Sequence, residues 1–226
     1  MSNGIDGNLD RVRVLIADDD SIIRQGLSMI ISSDEGMELV GIAPDGEVAA
    51  ALCRKSLVDV AVLDIRMPVL DGIEAASLML SEGTALPLLL TTFDEPELIA
   101  RALRCGARGY ILKNSPPETI LSAIVTVARG GTVFAQDVID YIRGAVEKGT
   151  IAILPEDSAY NFFSELTPRE LEIVALVSEG LSNAQIAENL FLADGTVRNH
   201  ISTIMEKTGL EHRTQIAVRY LTMSNS

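Results

Sequence analysis

Five short apolar runs, each followed by a longer amphipathic segment between residues 12 and 128, and an all-helical signal from Leu166 onward predict two domains. The first is an α/β domain: a flavodoxin-like, five-stranded parallel sheet with strand order 2-1-3-4-5. The second is an all-α, four-helix unit containing a helix-turn-helix. A third observation sets the site of interest. Acidic residues stand directly after two of the apolar runs, and a lysine closes a third.

The predicted strands are Val12–Ala17, Leu39–Ala43, Val58–Leu63, Leu86–Leu90 and Tyr110–Leu112. They are near-continuous apolar runs, as strands buried on both faces require. Helix-like stretches lie between and after them at Ile22–Ile31, Val48–Arg54, Ile73–Leu80, Leu98–Leu103 and Glu118–Arg129. In doubly wound sheets ligands bind beyond the carboxyl ends of the strands. Asp18, Asp19, Asp64, Thr91 and Lys113 all fall there.

After "ARGGTVF" the periodicity weakens. Asp137–Val146 reads as one short helix, followed by a Gly-, Pro- and charge-bearing connector. The expected division is a disordered N-terminus at 1–10, the α/β domain at 11–133, a linker at 134–162 and the helical domain at 163–226.

The tail has a repeated start grammar. Thr167-Pro168-Arg169-Glu170 supplies a capping threonine, a proline at the first helical position and a glutamate at the third, with Leu166 and Leu171 as a hydrophobic staple. Ser182-Asn183-Ala184-Gln185 repeats the box. Asp194-Gly195-Thr196 opens a third helix, and "TQIAVRYL" forms a fourth, whose Ile216, Ala217 and Tyr220 offer an apolar face for a dimer.

Composition bounds the function. The hydrophobic fraction of 47% supports two cores, while no apolar stretch approaches the ~20 residues that cross a bilayer. The N-terminal residues lack the basic-then-apolar pattern of a secretion signal. Cys53 and Cys105 sit in apolar helical patterns and read as free thiols in a reducing compartment. A cytoplasmic protein without a membrane partner is expected. The net charge of −14 is uneven: residues 1–160 hold 13 basic against 24 acidic side chains, residues 161–226 hold 5 against 8. The acidity belongs mainly to the domain with the carboxylate cluster.

Carboxylates gathered at buried strand ends repel one another unless a cation joins them. A carboxylate nucleophile, a divalent ion, a lysine and a hydroxyl are the parts for phosphoryl transfer to an aspartate. Mg²⁺ suits such an oxygen-rich, partly hydrated site. Asp20 reads as a helix N-cap and Asp71-Gly72 as a turn.

In order along the chain, "VLIADDD", "VAVLDIRMPVLDGIEA", "LLLTTFDEPE" and "GARGYILK" resemble a bacterial response-regulator receiver domain. The resemblance implies that Asp64 is the phosphoacceptor and the modified residue. Asp19 would bind Mg²⁺ directly, Asp18 would support it, and the backbone carbonyl of Arg66 would be a further ligand. Thr91 would be the switch hydroxyl, Tyr110 the switch aromatic and Lys113 the phosphate-pairing lysine, with Pro68 and Gly72 shaping the loop after the acceptor. Arg66 and Phe93 would line the water approach and slow self-dephosphorylation.

Residues 163–226 resemble the LuxR-type DNA-binding domain through "LTPRELEIVALVSEGLSNAQIAENLFLADGTVRNHISTIMEKTGLEHRTQ". The two parts together resemble the NarL/FixJ class of two-component response regulators. The recognition helix would be about Gly195–Thr208, with Thr196, Arg198, Asn199, Ser202, Lys207 and Arg213 as the DNA-contacting set. Arginine reads guanine and asparagine reads adenine, so Arg198 and Asn199 suit base edges, while Lys207 and Arg213 suit phosphates. The implied partners are a sensor histidine kinase, double-stranded promoter DNA and a second copy of the chain once phosphorylated, with RNA polymerase as a further candidate. The scarcity of cations limits non-specific DNA affinity and raises the importance of dimerisation.

Two other classes compete. An aspartyl-phosphate phosphatase would use the same nucleophile, ion and lysine, but wants a second aspartate where Arg66 stands. An acidic module that docks on a kinase or polymerase without touching DNA would fit the overall charge.

Overall fold

The computed structural model describes residues 11–92, 96–134, 138–140, 144 and 163–223. The expected disordered segment 1–10, most of the expected linker and Phe93 lie outside the described residues.

The first domain alternates strands and helices: β1 (Val12–Ala17), α1 (Ser21–Ser32), β2 (Met37–Ala43), α2 (Gly46–Lys55), β3 (Val60–Asp64), α3 (Gly72–Glu82), β4 (Leu86–Thr91), α4 (Pro96–Arg104), β5 (Gly109–Leu112), α5 (Pro117–Ala128) and β6 (Val133–Phe134). The sheet runs β2-β1-β3-β4-β5-β6, and each of its five neighbour pairs is parallel. The predicted order 2-1-3-4-5 is present, and the strand count of five becomes six. After α5 the chain turns at Gly130 (φ 81°) and returns beside β5, pairing Val133 with Gly109 and Phe134 with Tyr110. Two residues carry no alternation, so this edge strand had no periodic signal to read.

The two-residue period of the strands sorts the core into two layers. Val14, Ile16, Val60, Val62, Leu88 and Leu90 pack on the side of α1 and α5. Leu15, Ala17, Ala61, Leu63 and Leu89 face the other way, toward α2, α3 and α4. Helix starts follow the local sequence. Asp20 accepts from the Ile22 amide at 2.7 Å, confirming it as an N-cap. Asp71 does more than mark a turn: it closes a capping box with Glu74 and pairs with Arg101 at 3.0 Å.

The helical domain contains α6 (Pro168–Ser178), α7 (Asn183–Leu190), α8 (Asp194–Thr208) and α9 (Arg213–Met223). Both expected capping boxes form, Thr167 with Glu170 and Ser182 with Gln185. Phe191, in the left-handed conformation (φ 55°), ends α7 and allows the sharp turn into α8. Ile173, Val174, Val177, Ile186, Val197, Ile201 and Ile204 form the core, closed by Ile216 and Ala217 of α9.

The two domains dock. Thr214 Oγ1 donates to the Ala107 carbonyl at 2.8 Å, and the Thr132 amide and hydroxyl donate to the Gly180 and Val177 carbonyls at 3.2 and 3.3 Å. Val218 is 3% exposed and belongs to the core of the α/β domain. This corrects the expectation of an apolar dimer face on α9. Ile216 and Ala217 are consumed by the helical domain's own core, Tyr220 packs beside Phe163, and Val218 is covered by the first domain. A helix this short has too few faces to leave an apolar one free after both neighbours are satisfied.

Candidate functional site

Parallel register brings the chemistry together. Ala17 pairs with Leu63, Asp64 with Leu90 and Thr91 with Leu112, so Asp18, Asp64, Thr91 and Lys113 emerge at one end of adjacent strands. Lys113 Nζ lies 2.8 Å from Asp18 Oδ2 and 2.9 Å from Asp64 Oδ2. Asp18 is fully buried and Asp64 is 4% exposed, whereas Asp19 faces solvent. Ligand oxygens from Asp18, Asp19 and Asp64 all fall within 4.8 Å of one another.

Several backbone contacts hold this geometry. The Asp20 amide donates to Asp18 Oδ1 at 2.9 Å, and Arg24 of α1 donates to the carbonyls of Asp18 and Asp19 at 2.6 and 2.9 Å. Arg24 was not anticipated as a site residue; its only sequence signal is a cation one turn into the helix after the acidic triplet. Beyond Asp64, the Gly72 amide donates to the Ile65 carbonyl at 3.0 Å, and a Cβ on Gly72 would meet the Asp64 carbonyl at 1.9 Å. Only glycine lets α3 start so close to Asp64. Between them, Val69 (φ 69°) sits in a tight turn closed by the Leu70 amide donating to the Pro68 carbonyl at 2.8 Å.

Electrostatics agree with the crowding. Burial pushes the Asp64 carboxyl up, Lys113 opposes it, and the Asp18 charge adds to the rise. Burial alone would push Lys113 down, yet its bonds to Asp18 and Asp64 outweigh that, and its ammonium is held above the ordinary range. Lys113 thus stands in for part of the positive charge the carboxylates need. Asp18 Oδ2 is buried and, among the described residues, has the Lys113 ammonium at 2.8 Å as its one partner, so this anionic oxygen keeps a lone pair for another ligand. Three carboxylates, one with such an oxygen, fit a hard divalent cation.

The two positions expected to act as switches sit on β4 and β5. Thr91 is half-buried at the end of β4. Tyr110 is 1% exposed, stacks on Phe134 at 5.5 Å between ring centroids and donates its hydroxyl to the Ala102 carbonyl of α4. Arg66 reaches across to Thr92 Oγ1 at 2.7 Å.

In the helical domain, Thr196, Arg198, Asn199 and Ser202 are exposed on α8, opposite the buried Val197, Ile201 and Ile204. Arg198 pairs with Asp194 at 3.0 Å, and Ser202 donates to the Arg198 carbonyl at 3.1 Å. The structure does not bring Lys207 and Arg213 to the same surface. Lys207 binds both carboxylate oxygens of buried Glu170 at 2.8 and 2.9 Å. Arg213 is 8% exposed and donates to the Asn183 side chain and the Leu181 carbonyl. Both cations are engaged by protein acceptors, Lys207 by a buried glutamate and Arg213 by the Asn183 side chain and one carbonyl in the turn before α7.

The chain matches the family of response regulator receiver domains over residues 14–125 and that of bacterial regulatory proteins of the luxR family over residues 164–220. It is 37% identical to the transcriptional regulatory protein LnrK of Bacillus subtilis, over 92% of this chain and 95% of that one. It is 34% identical to the nitrate/nitrite response regulator protein NarP of Escherichia coli, over 92% and 94%. Among solved structures, the response regulator ChrA of a heme-sensing two-component system is 31% identical, with a TM-score of 0.53 over 93% of this chain and 96% of that one. The chain belongs to the response regulators that join a receiver to a LuxR-type DNA-binding domain. It is a phosphorylation-controlled regulator of transcription.

Proposed function

We propose that Asp64 is the phosphoacceptor, that a sensor histidine kinase supplies the phosphoryl group, and that the modification controls dimerisation and sequence-specific binding to promoter DNA. The observation that carries this reading is Lys113 bridging Asp18 and Asp64 with Asp19 alongside. In it, Asp18, Asp19, Asp64 and the Arg66 carbonyl hold Mg²⁺, which when bound neutralises charge between the carboxylate and the incoming phosphoryl group. An Asp64 oxygen forms the new bond to phosphorus as the bond to the kinase's histidine nitrogen breaks. Lys113 then pairs with a phosphoryl oxygen, and Thr91 donates a hydrogen bond to another. The phosphatase reading is disfavoured by the same geometry, since Arg66, two residues after Asp64, turns its side chain to Thr92.

The output runs through α4. Tyr110 bonds to Ala102 on α4, and α4 packs against α9. A phosphate that draws Thr91 inward shifts this aromatic and with it the surface on which α9 sits, provided the phosphate interacts differently with the two states. The docked arrangement is the closed state, because Arg198 and Ser202 face a cavity shared with Leu80 and Arg108 of the receiver. Release lets Thr196, Arg198, Asn199 and Ser202 approach DNA clear of the receiver. Lys207 and Arg213 reach phosphates only by exchanging their protein partners for them. RNA polymerase is a further partner of the released form. The setting is cytoplasmic, consistent with the lack, among described residues, of a helix long and apolar enough to cross a membrane. The self-phosphorylation and slow hydrolysis at Asp64 are the only reactions assigned to the protein, which otherwise acts by binding.

The test is incubation with acetyl phosphate and Mg²⁺, followed by phosphate analysis and gel shift on the protein's own promoter. Phosphate retained on Asp64→Asn would reject the acceptor. Phosphorylated protein that shifts no promoter fragment would favour docking without DNA.

A further inference from the structure

Guanidinium groups taken from water need acceptors or counter-charges around them. The seam between the domains buries two that lack a carboxylate. Arg213 meets only neutral acceptors, the Asn183 side chain and the Leu181 carbonyl, and its Nε has no acceptor at all. Arg108, in the loop before β5, is half-buried, and among the described residues its guanidinium makes no hydrogen bond or ion pair. Burial lowers the Arg213 guanidinium to about 10, with the Arg108 charge adding to the fall. Burial lowers Arg108 as well. Both groups stay charged at neutral pH and line the same cavity.

Between them lies a cavity of about 460 Å³. Arg198 of α8 adds a further guanidinium and His212 an imidazole, and Asn183, Ser202 and Thr214 bring amide and hydroxyl groups. Glu211 is the one carboxylate among the lining residues, while Leu80 and Met205 make an apolar side. Gly106 (φ 83°) fixes how close the walls stand, since a Cβ there would meet the His212 ring at 2.8 Å.

We propose that this seam binds a small phosphorylated anion, of nucleoside-monophosphate size or smaller, bridging Arg108 of the receiver and Arg213 of the DNA-binding domain. A phosphoryl group presents several oxygens, and arginine forks match them in pairs. The volume lies within the range of small-molecule sites, and one apolar wall with convergent polar groups is their usual composition. Because the anion touches both domains, it binds the docked arrangement and not the separated one. It therefore favours docking by its differential affinity. The effect on DNA binding rests on the closed-state reading given above; the binding itself does not.

Calorimetry on the full-length unphosphorylated chain tests this, with pyrophosphate and adenosine monophosphate as probes. EDTA removes metal from the acidic pocket, and potassium chloride holds ionic strength constant. Saturable binding of one probe molecule per chain is expected for at least one probe, weakened tenfold or more in Arg108→Gln and unchanged in Asp64→Asn. Arg108 lies outside both the acidic pocket and α8, so its variant should take up phosphate at Asp64 normally. That control separates failure here from failure of the phosphoacceptor assignment. No saturable binding of either probe overturns the proposal. Equal affinity in Arg108→Gln places the anion on the DNA-reading face alone and overturns it too. Loss in Asp64→Asn assigns the anion to the acidic pocket, with the same consequence.

Discussion

The acidic pocket and the DNA-reading helix solve opposite problems. The pocket draws its groups from β1, β3, β4 and β5, so no single element can assemble it, yet the parallel register sets all of them at once. Its lysine, carboxylates and supporting Arg24 contacts are already in place. The reading face comes from one helix, and α8 presents Thr196, Arg198, Asn199 and Ser202 through its own periodicity. Arg198 and Ser202 of that face also line the seam with the receiver, while the Arg198 side chain stays 71% exposed. The acidic pocket is built into the sheet, and the exposed α8 face belongs to a helical unit docked against it.

The largest expected effect breaks the pocket. Asp64→Asn should take up no phosphate from acetyl phosphate, measured by acid-labile phosphate or mobility shift, because an amide is a poor nucleophile and a weak Mg²⁺ ligand. Thr91→Ala tests the link between the two regions. It should be phosphorylated at near-normal stoichiometry yet lose most of the phosphate-dependent gain in promoter affinity. A full gain in that variant would sever Thr91 from the output.

Arg198→Ala acts on the reading face alone. It should cost about 1–3 kcal/mol of specific binding and relax discrimination at one base pair, if the guanidinium meets a guanine. A uniform loss across sequences would make it a phosphate contact. Lys207→Ala sharpens the contrast between a reading residue and a supporting one. Removing the partner of buried Glu170 should destabilise the helical domain by about 1–3 kcal/mol in denaturant unfolding.

The same pair gives a pH dependence with a definite sign. Burial would raise the Glu170 carboxyl, but hydrogen bonds from Lys207 and Thr167 outweigh it and hold it below the ordinary range. A depressed folded value means the contribution is present above the unfolded value, about 4.3, and is lost as pH falls through the folded one. Acid unfolding of the helical domain should therefore steepen below about pH 4 in the wild type and flatten in Lys207→Ala. The smallest effect concerns signal lifetime. Arg66→Asn frees the approach to Asp64 from a side chain now tied to Thr92, and should speed loss of radiolabelled phosphate by a few-fold.

Much of this was legible in the chain. The runs ending in "ADDD", "VLD" and "YILK" placed the acidic and basic residues at strand ends, and parallel topology then left only one place for them to meet. Capping residues at Asp20, Thr167 and Ser182 announced helix starts because a cap is a contact between residues two or three apart. The misplaced expectations all involve residues distant in sequence. Lys207 and Arg213 read as phosphate contacts, and the structure gives each a protein partner far along the chain, Glu170 at 37 positions from the first and Leu181 at 32 from the second. The α9 stripe of Ile216, Ala217 and Tyr220 read as a dimer face, and the helical domain's own core takes it up instead.

The sequence by itself determined the elements, their order, and which side chains stand at the carboxyl edge of the sheet, since periodicity and capping are local and a parallel sheet has only one such edge. Tertiary structure alone decided which charges are spent on protein partners and which remain available. It also decided that Arg108 and Arg213 share a cavity and that α8 faces the receiver. Those outcomes depend on how two separately folded surfaces fit, and burial at a seam is a property of the pair of surfaces that neither strand nor helix pattern encodes.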